Sequence, residues 1–480
     1  MADPTGPIRT SGPTPADPQP SGAARAQAVV VVHGIGDQRP LATLRGFAGA
    51  IRDPERAMYA VPDRTDTTFE LHTLVLPADD HHRRTDLYEG YWAPESTGTR
   101  LAHVARWGRR LLLRPPWRLP RRIRAVAIRV LVALIVAVAA IVWVGADAVA
   151  LVADGEVTWP ATVGKGLVGL VAGAATVWLT DSLGDAARYL DVHPHNIAQR
   201  QAIRTRMVGL LDEVHECGRY DRIVVVGHSL GGVVAYDAVR LLWRQRLDGI
   251  TLDDGFDDTE LARATAQLEA AMAVLDPAQR RRPAEDPAIR SAQAQFRQAQ
   301  QRLFAALRRQ DPGRWLISDL ITLGAPVAHA GWLLADGSED LWTRIVEREL
   351  PTCPPQPAEP GQAGLSYATA EGRELHHGAV FGVTRWTNGW FPGDPVGGPI
   401  LATATPTDGV ASDREAGLGI GVADLRLPGP RGLLRGLASH TRYWTDERAR
   451  LALIDALALD PLWLIDVTHE PGPLRLTRNV

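Results

Sequence analysis

One stretch constrains the fold more than any other: Arg222-Ile-Val-Val-Val-Gly-His-Ser-Leu-Gly-Gly-Val-Val-Ala-Tyr236. Its β-branched run, Ile223 to Val226, has the composition of a strand buried on both faces of a parallel sheet. Gly227-His228-Ser229-Leu230-Gly231 follows with no length for a loop, and the residues from Gly232 to Leu242 suit a helix. A strand, a turn and a helix compressed this way force the serine at the apex into a strained backbone conformation. Gly227 and Gly231 flank it where a Cβ would collide. The helix start then turns free N–H groups and the positive end of its dipole toward any anion formed at the serine. With 45 Gly and 11 Ser in 480 residues, chance yields roughly 0.1 G-x-S-x-G matches, before the flanking strand and helix are required.

A second apolar run, Ala28 to Val32, reads as another doubly buried strand and leads directly into His33-Gly34-Ile35-Gly36-Asp37-Gln38. Taken alone, this is a Gly-rich strand-to-helix turn. Together the two stretches resemble the α/β-hydrolase superfamily in its lipase/esterase-like branch. The resemblance implies that Ser229 is a nucleophile and that the backbone N–H groups of Ile35 and Leu230 form an oxyanion hole. It casts His33, Gly34, Gly227, His228 and Gly231 as supporting residues. His228 adjoins the nucleophile in the chain and cannot readily align as its base. Trp315 to Leu323, ending in Gly324-Ala325-Pro326, fits the strand that follows the nucleophile helix in such enzymes.

The family order is serine, acid, histidine. Asp394, in Asp394-Pro-Val-Gly397 after a strand-like run from Gly378 to Thr384, resembles the family's acid; Asp408, Asp413 and Asp424 remain alternatives. Of the two later histidines, His440 stands in Ala438-Ser-His-Thr-Arg-Tyr-Trp444 ahead of a helical stretch (446–459), and His469 stands near the chain end. The reading adopts Ser229, His440 and Asp394 as a triad. It needs no metal and no organic cofactor.

Elsewhere the chain reads as follows. Residues 1–27 are too poor in large apolar side chains to offset the entropy of ordering, so they are expected to be disordered. Nothing there resembles a secretory signal. Phe69 to Leu76 alternates like a strand, and the aromatic run Tyr88 to Trp92 packs under a loop or lines a cleft. His72, His81 and His82 lack the partners of a metal site, and His193, His195 and His215 read as exposed or helix-face residues. Ile197 to Cys217 reads as an amphipathic helix feeding the Ser229 strand.

Arginines 106, 109, 110, 114, 118, 121, 122, 124 and 129 precede two apolar stretches, 130–153 and 161–180, joined by a short acidic link. Each is long enough as a helix to cross ~30 Å of hydrocarbon. The charge bias places both ends, and the catalytic residues, in the cytoplasm. A pair of buried core helices or an apolar lid is the competing reading, favoured by Asp147 and Lys165. Residues 246–312 are charged, with helices expected near 259–275 and 287–309, forming a solvated cap or a partner-binding arm. Net charge is −3, which argues against a nucleic-acid partner.

The expected architecture is therefore an α/β-hydrolase fold with a mostly parallel central sheet, in three pieces (28–120, 183–245 and 313–480). A transmembrane hairpin (121–182) and a helical insertion (246–312) interrupt it. The expected function is a membrane-anchored serine hydrolase cleaving apolar or lipid carboxylic esters. The alternatives are an acyltransferase using the same triad and a non-catalytic membrane scaffold.

Overall fold

In chain order, β1 (Ala26–Val32), α1 (Ala42–Ile51), β2 (Tyr59–Pro62), β3 (His72–Leu76) and β4 (Thr85–Gly90) form the first part of the fold. After them come α2 (Ile197–Glu216), β5 (Tyr220–His228), α3 (Leu230–Arg246), α4 (Glu260–Val274), α5 (Pro287–Gln310) and β6 (Ile317–Leu323). The set closes with β7 (Ser366–Thr369), β8 (Gly372–Leu375), β9 (Arg385–Trp390) and β10 (Ala423–Arg426). The computed structural model describes residues 26–35, 38–52, 57–66, 70–78, 83–96, 188–247, 259–275, 287–357, 364–369, 372–394, 396–400, 418–427, 438–447, 449–450 and 453–454.

Eight strands make one mixed sheet in the order β10-β9-β6-β5-β1-β4-β3-β2, and β7 and β8 form a separate antiparallel pair. The six strands from β10 to β4 run parallel. Only β3 runs against its neighbours, near one edge. The β-branched runs sit at the centre, as a parallel sheet covered on both faces requires. Their side chains alternate between two cores. Val30, Val32, Ile223 and Val225 pack with α2, α3, α4 and α5 on one face. Val29, Val31, Val224 and Val226 pack with α1 and with Tyr443, Ala449 and Leu453 on the other.

The connections from β1 and β5 lead in opposite directions across the sheet: β1 toward the β4–β2 edge, β5 toward β6, β9 and β10. Such a reversal opens a crevice at the carboxyl ends of the two strands, where open α/β sheets place their ligands. His33-Gly34-Ile35 and His228-Ser229 stand at that edge.

The structure departs from the sequence reading in several elements. The aromatic run at Tyr88 belongs to an interior strand, β4, whose six residues are all buried. His215 is buried, with Nδ1 against the Leu211 carbonyl and Nε2 accepting the Leu316 N–H, so it ties α2 to β6. The run 378–384 holds a short helix, Val380–Val383, and the strand starts at Arg385, where an ion pair with Asp319 of β6 sets the register.

The two helices described in the 246–312 segment each pack one apolar face against the fold. Leu261 and Leu268 of α4 and Phe296, Leu303 and Leu307 of α5 are buried in the larger core. No helix among the described residues is long and apolar enough to cross a membrane. The expected hairpin at 121–182, His81, His82, Asp408, Asp413 and His469 lie outside the described residues.

Candidate active site

The turn from β5 into α3 is as tight as its sequence requires. Ser229 adopts φ 55° and ψ −132°, a conformation L residues rarely take. Its N–H is held by the Leu323 carbonyl at 3.0 Å, and its own carbonyl accepts the Gly232 N–H at 2.9 Å. A Cβ on Gly227 would lie 2.5 Å from the Gly231 carbonyl oxygen. One on Gly231 would lie 2.3 Å from the His33 carbonyl oxygen. These glycines therefore let β1, β5 and α3 converge on one point.

Two loops from distant parts of the chain complete the arrangement. After β9, Asp394 closes a turn onto the Phe391 carbonyl. His440 sits on a 3-10 turn, Ala438–Thr441. His440 Nε2 lies 2.9 Å from Ser229 Oγ, and His440 Nδ1 lies 3.0 Å from both oxygens of Asp394. The bond to Asp394 puts the neutral ring's proton on Nδ1 and leaves Nε2 as the acceptor facing the serine hydroxyl.

Burial alone would push the Asp394 carboxyl up. Hydrogen bonding and charge from His440, the Tyr443 hydroxyl and the Val396 N–H outweigh it, so its pKa lies below the ordinary carboxylate value. Asp394 is thus a carboxylate wherever His440 needs one.

Of the alternative acids, Asp424 lies on β10 and is engaged elsewhere. Its Oδ1 accepts from Asn388 Nδ2 at 2.6 Å and from the Ile400 N–H at 3.0 Å, organising the loop beyond Asp394. His228 turns away from the serine proton: its Nε2 meets the His440 backbone carbonyl at 2.9 Å. Burial, reinforced by neighbouring His440, holds its imidazole down at about 4, so the ring is neutral and braces the His440 turn.

His33 is wholly buried and stacked 4.9 Å from Trp92. Its Nδ1 faces the Gly34 carbonyl, its Nε2 accepts the Trp92 N–H at 3.0 Å, and burial holds it at about 4. A Cβ on Gly34 would stand 2.9 Å from Ser229 Cβ, so the backbone passes directly over the serine. The N–H groups of Ile35, on this loop, and of Leu230, first in α3, find no hydrogen-bond acceptor among the described residues. All the site residues named from sequence therefore lie at the carboxyl ends of β1, β5 and β9 or on the turn that carries His440.

No family model, curated protein or solved structure matches this chain.

Tyr443 is a site residue that the sequence pattern does not single out. It lies three positions after His440, is fully buried, and donates to Asp394 Oδ2. Its only signal is that spacing, which returns a side chain to the same side of a helical turn. A cavity of about 220 Å³ lined by Asp66, Glu89, Tyr91, Arg206 and Met207 lies beside β4, and Ser229 is not among its walls. Among the described residues, no group of three His, Cys, Asp or Glu side chains is placed to hold a metal.

Proposed function

We propose that this protein is a serine hydrolase of the α/β-hydrolase type, acting on carboxylic esters through an acyl-enzyme. The observation that carries the reading is the continuous hydrogen-bonded line from Ser229 Oγ through His440 to Asp394, ending on a serine held in a strained turn. A structural serine has no need of that strain, which costs on the order of 1–3 kcal/mol.

In the reaction, His440 Nε2 takes the Ser229 proton as Oγ attacks the acyl carbonyl. Asp394 stabilises the imidazolium so formed, and the proton passes to the departing alkoxide. The carbonyl oxygen, now negative, receives the Ile35 and Leu230 N–H groups. A water deprotonated by His440 then releases the acid and restores Ser229. Every step is carried by side chains and backbone of this chain.

The substrate we propose is an apolar or lipid ester, reached from a membrane. Its support is the pair of apolar stretches at 130–153 and 161–180 with the arginine-rich segment before them. A catalytic face on the cytoplasmic side follows from the same charge bias. The proposed anchor and substrate would be sunk together if the full-length protein remained in the supernatant of a detergent-free lysate after ultracentrifugation.

The mechanism is tested by hydrolysis of a short chromogenic ester, wild type beside Ser229→Ala, both detergent-solubilised. Activity should vanish in the variant, and a fluorophosphonate probe should label wild type alone. Equal turnover in both proteins would remove Ser229 from the mechanism.

A further inference from the structure

Residues 33–35 and 38–41, either side of the Ile35 N–H, are laid along the carboxyl end of β4, and three anchors hold them there. Trp92 holds their beginning: the Trp92 N–H donates to His33 Nε2 and the indole N–H to the His33 carbonyl, each at 3.0 Å. Tyr91 holds their middle, its hydroxyl donating to the Gln38 carbonyl at 2.8 Å. The Gln38 side chain reaches back to the Ile35 carbonyl and is itself met by Thr43 Oγ1. Glu89 holds their end, where Oε2 accepts the Leu41 N–H at the start of α1. Leu41 has φ 66°, a left-handed conformation that leucine avoids unless its surroundings impose it.

Glu89 is the unusual member. It is 1% exposed. Among the described residues no cation pairs with it, and its Oε1 has no hydrogen-bond partner. Burial pushes its carboxyl up to about 7, with the backbone of Leu41 and Leu44 opposing. A glutamate so placed weakens the sheet, and an apolar residue would serve packing better. What the carboxyl supplies is an acceptor fixed on a rigid strand, aimed at the backbone N–H that ends the loop.

We propose that Glu89 is the positioning residue of the oxyanion hole, holding residues 38–41, and through the Gln38 side chain Ile35, so that the Ile35 N–H meets the oxyanion. The inference rests on the hydrolase reading above. Oxyanion donors act because they are set in place before charge develops. A loop released at one end loses that advantage in the transition state, while ground-state ester binding is little affected.

The test uses full-length protein in detergent with Glu89→Leu, which lacks an acceptor, and Glu89→Gln, which keeps one. Glu89→Leu should lower kcat about 10- to 100-fold with KM within about threefold. It should weaken binding of a trifluoromethyl ketone, which forms a tetrahedral oxyanion on serine, by the same factor. Glu89→Gln should restore most of both. Tyr91→Phe, which releases the Gln38 carbonyl, keeps the idea testable if Glu89→Leu does not fold, and should show the same kcat loss on a smaller scale. Wild-type kcat and inhibitor affinity in folded Glu89→Leu, a Glu89→Gln variant as impaired as Glu89→Leu, or an unaffected Tyr91→Phe would each overturn the proposal. A wild-type protein that fluorophosphonate leaves unlabelled at Ser229 would instead remove the hydrolase reading, and this inference with it.

Discussion

The Tyr443 hydroxyl donates a 2.7 Å hydrogen bond to Oδ2 of Asp394 and accepts the Phe391 N–H at 3.2 Å. One side chain thus helps His440 and the Val396 N–H to keep Asp394 a carboxylate, and ties that carboxylate to the Phe391 backbone. The same ring lies 4.6 Å from Phe391 and 5.5 Å from His228, so Tyr443 joins the Asp394 loop, the His440 turn and the β5 end.

Tyr443→Phe should therefore fold and remain active at a reduced level. It removes a hydrogen bond to a charged group, worth about 1.5–3 kcal/mol, and leaves the buried Phe391 N–H without an acceptor. The expected result is a kcat/KM about 10-fold lower with a lower melting temperature. Wild-type kinetics would show that Tyr443 only fills space.

Asp394→Asn should keep the geometry and lose the chemistry, because an amide can stabilise the wrong tautomer of His440. The expected fall in kcat is on the order of 10⁴-fold. A stability effect accompanies it. The Asp394 pKa is depressed in the folded state, so its contribution is present above the unfolded value near 3.9 and is lost as pH falls through the folded value. Wild type should hold an advantage over the variant at about pH 4 and above and lose it at lower pH. Chemical denaturation at about pH 7, 4 and 2.5 checks this, and a difference independent of pH would count against the charge of Asp394.

The tight turn at Ser229 is legible in the sequence because its demands are local: a serine between Gly227 and Gly231 must turn sharply. Asp394 and His440 are reachable only through the resemblance, with Asp408, Asp413 and Asp424 still open as the acid, because nothing local ties either residue to Ser229. β4 is not legible, because Thr85, Asp86 and Glu89 break any apolar pattern. Thr85 and Asp86 are buried against Gln27 and Tyr220, remote in sequence, and nearby Arg84, while Glu89 meets the remote Leu41 N–H through one oxygen and leaves the other unpaired. Likewise, the Gln- and Arg-rich composition of α5 conceals the stripe Ile289, Phe296, Leu303 and Leu307 that is buried in the larger core. Where tertiary partners neutralise polar residues, pattern alone cannot place a strand or assign a helix face.

Ser229→Gly should be more stable than wild type. At φ 55° and ψ −132° a Cβ is strained and glycine is not. The expected gain is about 1–3 kcal/mol, offset in part by the flexibility of glycine in the unfolded chain. Ser229→Ala retains the Cβ and should gain less. Both variants should be inactive. Equal melting temperatures for all three proteins would mean that the turn stores no strain.

Glu89→Gln should change how stability depends on pH. The Glu89 carboxyl titrates at about 7 in the folded protein, against about 4.3 in an unfolded chain. Between those values the folded state holds a proton that the unfolded chain has released, so wild-type stability falls as pH rises across that window. Glutamine keeps an acceptor for the Leu41 N–H and does not titrate. The two proteins should therefore melt together near pH 4.5, and the variant should gain on wild type through about pH 7 and level off above it. The full difference is on the order of 3–4 kcal/mol, since each tenfold change in proton affinity is worth about 1.36 kcal/mol. Other ionisable groups are common to both proteins and cancel in the comparison. Thermal unfolding of the pair at about pH 4.5, 6, 7 and 8.5 decides it: a gap that widens with pH assigns the burden to the buried carboxyl. Parallel curves would mean that Glu89 ionises as freely in the fold as outside it.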